Sequence, residues 1–180
     1  AAYGRHQRLA LDAATLWAEL DPNSLKAQQA ASQMMISTGN MKSAVPHIKE
    51  LLSKEGIRAT TFLYLNELLR NQQDKKAVLT TIKELAQPYP ESAESHFSVA
   101  QAAWVAQDIG AAESAIRKAS QLRPDWEVCA QMQGQILAKQ SPEKALDLYK
   151  AFLNKNPTAN NVRMSYAKLL VSLKYYADAK

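Results

Sequence analysis

Residues 93–126 read AESHFSVAQAAWVAQDIGAAESAIRKASQLRPDW, and two runs of helical spacing lie inside them. In the first run, His96, Val99, Ala100 and Ala103 recur at intervals of three and four, which is one stripe of a 3.6-residue helix. Ala112, Ile116 and Ala119 do the same in the second. Between the runs, Asp108 stands where a helix needs a side chain to accept its first backbone N–H groups, and Pro124 closes the segment. Small residues on both stripes allow two helix axes to approach closely. The stretch therefore predicts an antiparallel helix pair joined by a tight turn. Working outward, the closing residues are Pro22, Gly56, Pro90, Pro124 and Pro157, spaced 34, 34, 34 and 33 residues apart. A fixed period of that length is the mark of stacked helical repeats, each burying its apolar face against its neighbours.

The other periods carry the same pattern with different bulk. Residues 59–92 give Phe62, Leu65, Asn66 and Leu69, then Val78, Ile82 and Leu85. Residues 127–159 give Ala130, Gln133, Gly134 and Leu137, then Ala145, Tyr149 and Phe152, with one residue lost in the turn around Gln140–Ser141–Pro142. Residues 25–58 give Gln28, Ala31, Ser32 and Met35, then Ala44, Ile48 and Leu51, with Gly56 in place of proline. At the flanks, Ala10, Ala14 and Trp17 form a second helix, and Arg163, Tyr166, Ala167 and Leu170 a first helix. Asn40, Asp74, Asp108 and Ser141 are expected to cap the second helices, with Pro142 at the first helical position. Asp125 is expected to cap the first helix that follows it. Pro46 is tolerable if Ser43 caps a late-starting helix and the proline falls in its first turn.

This phase, held over four segments, resembles the tetratricopeptide repeat family across essentially the whole chain. The resemblance implies an all-α, right-handed α-solenoid of helix-turn-helix repeats forming a single array over 1–180. Its parts are a partial repeat at 1–24, full repeats at 25–58, 59–92, 93–126 and 127–159, and a partial repeat at 160–180. With Ala at position 1, the chain is expected to be a fragment of a longer protein. A closer likeness rests on His96–Phe97, Ala102–Ala103–Trp104, Gln107–Asp108 and Leu122–Arg123–Pro124–Asp125–Trp126–Glu127, followed by Ser141–Pro142–Glu143–Lys144–Ala145. These are similar to proteobacterial tetratricopeptide lipoproteins of the outer membrane, some of which act as adaptors for a periplasmic processing protease. That likeness implies a periplasmic array anchored through an N-terminal lipoprotein signal not in this sequence, with the cytoplasm as the alternative.

In such an array the first helix of each pair lines the inner surface. At about 100° per residue, the side chains facing it lie about 130° round from the core stripe. A protein or peptide groove is expected from Gln33, Leu63, Tyr64, Glu67, Arg70, Phe97, Gln101, Trp104, Gln135, Met164 and Lys168. Amides such as Gln33, Gln101 and Gln135 both donate and accept, so they suit the backbone of an extended segment. Aromatic side chains among polar neighbours are the usual interface anchors. Phe97 and Trp104 could instead pack against the adjoining first helix, and Tyr64 could face either way. Trp17 and Trp126 are expected to be structural. The family's carboxylate clamp does not fit: Gln29, Gln33, Tyr64, Glu94 and Ser98 stand at its positions, and Glu94 repels a carboxylate.

Composition narrows the function. Hydrophobic residues make up 47%, too many for a disordered chain, and no apolar run is long enough to span a bilayer. Twenty-two basic against 17 acidic residues leave +5, a mild steering charge. Lys75, Lys76, Lys83, Arg117, Lys118, Lys144 and Lys150 lie mostly on second helices and offer an alternative, an anionic polymer or surface (nucleic acid, lipid or cell-wall glycan) on the convex face. The aromatics that base stacking requires lie elsewhere, which makes nucleic acid the poorer partner. No phosphate loop, dinucleotide fingerprint or zinc-helix motif is present, and His6, His47 and His96 fall in different repeats. Cys129 has no histidine phased to activate it and is expected to pack. The expectation is a non-catalytic scaffold with no cofactor, no metal and no small-molecule substrate. The last helix is expected to expose Tyr166, Leu169, Leu170 and Leu173, and so to support self-association.

Overall fold

The computed structural model describes residues 2–175, with side chains from residue 6 onward. Every element among the described residues is a helix: α1 (Ala2–Leu20), α2 (Leu25–Ser37), α3 (Met41–Ser53), α4 (Glu55–Leu68), α5 (Lys75–Ala86), α6 (Ala93–Val105), α7 (Ile109–Leu122), α8 (Glu127–Ala138), α9 (Pro142–Lys155) and α10 (Asn160–Ser172). The chain divides between Pro88 and Tyr89 into two compact units, α1–α5 and α6–α10.

Local chemistry fixes most of the boundaries. Asn40 Oδ1 accepts from the Ser43 N–H at 3.3 Å, Asp74 Oδ1 from Ala77 at 2.9 Å and Asp108 Oδ1 from Ala111 at 3.0 Å. Ser24 and Ser92 cap α2 and α6 in the same way. Three turns following first helices close identically. Gly39, Gln107 and Lys174 adopt φ of 82°, 61° and 64°, and the next residues bond back five positions, Asn40 N–H to Met35 O, Asp108 N–H to Ala103 O and Tyr175 N–H to Leu170 O. A left-handed residue there satisfies the last carbonyls of the helix.

Four capping and boundary expectations are corrected. Asp125 does not cap α8, because Trp126 takes the N-cap position and no side chain bonds there. Ser141 precedes α9 without a side-chain bond, although Pro142 does sit at its first position. Pro46 lies inside α3, which starts at Met41 under the Asn40 cap, so Ser43 begins no late helix. Gly56 breaks nothing: α4 begins at Glu55, joined to α3 by the single residue Lys54.

Side-chain bulk decides which helices meet. In the α6–α7 pair, Ala100, Ala103, Ala112 and Ala119 are all buried, and the two backbones run close together. In α8–α9 the ring of Tyr149 lies on Gly134, with no room for a Cβ. Its hydroxyl donates to Gln131 O at 3.1 Å, and burial pushes its pKa up to about 12. In residues 59–92 the matching positions hold Asn66, Val78, Ile82 and Leu85. There α4 packs on α3, and α4 and α5 do not share the close backbone approach of the other pairs.

The expected exposure of the last helix is also corrected. Leu170 is buried, while Tyr166, Leu169 and Leu173 are half-buried. Tyr166 and Leu169 pack on a cluster of Ala130, Tyr149, Ala159 and Val162 drawn from α8, α9 and the start of α10. No side chain of its own caps α10. The Glu127 carboxylate, one repeat earlier, accepts instead from Asn161 N–H at 2.5 Å and Val162 N–H at 3.2 Å. An anion at a helix N-terminus is favoured by the dipole as well as by the bonds.

Candidate functional site

In the first unit, α2 and α4 present Gln33, Leu63, Tyr64, Glu67 and Arg70. Gln33 Nε2 donates to Tyr64 Oη at 3.0 Å, which settles the direction of Tyr64 towards α2. Glu67 and Arg70 form an exposed pair at 3.1 Å, one turn apart on the same helix. Leu63, 42% exposed, stands on the same helix. Below Tyr64 a cleft of about 370 Å³ opens between α2 and α4, floored by Ile48 and Leu51 of α3.

In the second unit the expected set splits. Phe97 is only 4% exposed, and its ring lies 4.7 Å from that of Trp126 at an interplanar angle of 45°. Arg123 covers the other ring at 4.5 Å and is held at 2.6 Å by Glu94. Phe97 is therefore a packing residue, not a groove anchor: an aromatic at the end of the segment folds back onto the start of α6 and draws it inward. Trp126 is structural, as expected. Trp17 is 44% exposed on α1, so the structural role expected of it is not what the fold gives it. Trp104 and Gln101 are half-buried on α6. Gln135 on α8 and Met164 and Lys168 on α10 are exposed, Met164 at 59%. Val128 and Val171 are exposed on α8 and α10 as well. They share the inner phase of Met164, and that phase alone was the signal by which to include them.

Several of the other chemistry-bearing side chains have structural partners. Lys75 Nζ donates to Arg70 O at 2.6 Å, and Arg117 pairs with Glu113 at 2.5 Å, so two of the convex cations already have partners. Cys129 is fully buried beside Ser120 and Ile116 O, and burial pushes its thiol pKa up, away from a reactive thiolate. His96 bonds Pro90 O at 2.8 Å. His47 Nδ1 lies 2.7 Å from Gln28 Oε1. Because the Gln28 amide donates to Pro22 O, its oxygen must accept from the ring. Among the described residues, no three His, Cys, Asp or Glu side chains gather as a metal site would require, and no helix is long and apolar enough to cross a membrane.

No protein-family model matches the chain. It is 26% identical over 161 residues, 88% of its length, to a TPR repeat-containing protein of Pseudomonas aeruginosa, and spans 27% of that relative's length. Its fold resembles the crystal structure of MamA protein, with a TM-score of 0.59, 15% identity and coverage of 86% of this chain and 85% of that one. It also resembles YrrB, described as a TPR protein with an unusual peptide-binding site, with a TM-score of 0.57, 13% identity and coverage of 94% and 88%. The 34-residue phase, the helix pairs it encodes and the sequence likeness agree: the chain has the fold of tetratricopeptide repeat proteins and is similar in sequence to one of them.

Proposed function

We propose that this chain is a protein-binding scaffold whose first helices hold a peptide or protein segment along their inner faces. Arrays of this family serve generally as protein-interaction scaffolds rather than catalysts. One observation carries the finer reading. Leaving α1 aside, the exposed large apolar side chains within helix bodies are Leu63 and Tyr64 on α4, Val128 on α8, and Met164 and Val171 on α10. All stand on first helices at inner-face positions. The outer helices α3, α5 and α9 show none among the described residues, α7 shows only Leu122 at its last residue, and α1, the outer helix of the first partial repeat, exposes Leu9, Leu16, Trp17 and Leu20. Within the first unit Leu63 and Tyr64 stand with Gln33, and within the second Val128, Met164 and Val171 share their helices with Gln135 and Lys168; each set suits an anchor-and-backbone mode of binding.

The more specific role is an adaptor that presents a substrate to a processing protease in the periplasm. The sequence likeness to outer-membrane lipoprotein arrays supports it, and the likeness to the Pseudomonas aeruginosa relative is in keeping with it. Photo-crosslinkers placed at Leu63 and Met164 should capture a protein partner, and crosslinkers at Lys83 and Lys150 should not. Leu63→Asp and Met164→Asp should each weaken capture about tenfold, roughly the value of one lost apolar anchor. Salt-sensitive binding to heparin, reduced by Lys76→Gln and Lys118→Gln and untouched by the inner-face variants, would replace this reading with polyanion binding. Met164, Val171 and Tyr175 are also exposed near one another in sequence at the end of the second unit. Self-association there would raise the sedimentation coefficient with concentration, and a monomeric profile throughout would refute it.

A further inference from the structure

The cleft lies between α2 and α4. The 34-residue phase places the start of α4 at residue 59, and the single-residue link at Lys54 begins it at Glu55, a helical turn sooner. α4 packs on α3 as α8 packs on α7, and α2 and α4, like α6 and α8, do not meet backbone to backbone as α8 and α10 do. Gln33 Nε2 donates to Tyr64 Oη at 3.0 Å, tying α2 to α4 at the edge of the cleft that Tyr64 lines.

The lining states what would fit. Leu25, Ile57, Leu65 and Leu68 form the walls above the Ile48–Leu51 floor, and no Asp, Glu, Lys or Arg lines the space. Three hydroxyls of the lining are already engaged: Ser32 donates to Gln29 O at 2.9 Å, Thr61 donates to Ile57 O at 2.9 Å, and Tyr64 accepts from Gln33. Gln29 and Thr60, both exposed, stand at the mouth with an amide and a hydroxyl. A charged group inside would lose its water and find no counter-ion. A volume of about 370 Å³ exceeds a single aliphatic side chain and lies within the range of preformed ligand pockets.

We infer that this cleft is a recognition pocket for two large apolar side chains of an uncharged, extended peptide segment. The two would be residues i and i+2, which lie on the same face of a strand, with the peptide backbone meeting Gln29 and Thr60 at the mouth. This rests on the inner-face reading above and names the chemistry that one part of that face selects. The test is a titration of the full 180-residue chain, ¹³C-labelled at Ile, Leu, Val and Met methyls. The probe is the N-acetylated, C-amidated peptide Ala-Leu-Ala-Phe-Ala. Saturable shifts at Ile48, Ile57 and Leu65 are expected. Binding should fall at least about tenfold when Asp replaces the peptide's Phe, and again in Thr60→Trp, which fills the mouth from an exposed position. Gln29→Trp fills it from the opposite wall, should Thr60→Trp fail to fold. Shifts confined to Val128, Met164 and Val171 would overturn the pocket while leaving the inner-face reading intact. No shift at any methyl, equal affinity for the Asp peptide, or unchanged binding by both tryptophan variants would overturn it too. The crosslinking experiment tests the broader reading separately.

Discussion

Single side chains set several of the close contacts, and their effects can be measured one at a time. A Cβ on Gly134 would lie 2.1 Å from Tyr149 Cζ, and that ring is anchored by its bond to Gln131. Gly134→Ala should therefore lower stability by about 1–3 kcal/mol despite the better helix propensity of alanine, read as a reduced urea midpoint. Gln107 shows the opposite sign. It holds φ of 61° without being glycine, at the repeat position that Gly39 fills in an earlier period. Gln107→Gly should raise stability by roughly 0.5–1 kcal/mol, the strain relieved less the added freedom of the unfolded chain. His47 gives a pH dependence. Burial holds its pKa below the ordinary value, with Glu19 opposing. As pH falls, the unfolded imidazole takes up its proton first, near about 6.5. The contribution is thus complete above that pH and is lost as acid is added, until the folded ring titrates as well. Between about pH 7.5 and about pH 5.5 the urea midpoint should drop further in the wild type than in His47→Gln.

At the level of helices, small residues at the paired positions bring α6 and α7 together, and bulky ones hold α4 and α5 apart. Amides of α5 should accordingly exchange with deuterium sooner than those of α7, because local opening follows packing density. Equal protection in the two helices would contradict that assignment. Glu127→Ala should free the start of α10 at a cost of about 1 kcal/mol, visible as faster exchange at Asn161 and Val162. The sequence carried much of this. The stripes of small residues, the caps Asn40, Asp74 and Asp108, and the period itself were legible because each is set within a few residues of chain. What escaped depended on partners about thirty residues away. Glu127 reaches α10 from the preceding repeat, and Phe97 turns from the inner face to meet Trp126. The early start of α4 was hidden for a different reason: glycine at 56 permits a break and does not impose one.

For the molecule as a whole, contacts are dense within residues 89–175 and give that unit a core of its own. In arrays whose repeats touch chiefly their neighbours, stability is close to a sum over local interfaces. A chain of residues 89–180 should therefore keep its helical circular dichroism and melt in one transition, and a spectrum of an unfolded peptide would show that the core needs α1–α5. The inner-face residues were legible as a phase but not as a surface. The 34-residue rhythm names which positions turn inward, and only packing decides that Met164 stays open while Phe97 does not. Cys129 is the one cysteine in the chain, and it is sealed completely. A maleimide dye would leave this 180-residue chain unlabelled, so a cysteine introduced at Leu63 or Met164 becomes a unique attachment point within it, and fluorescence from it reports on that face with no background to subtract.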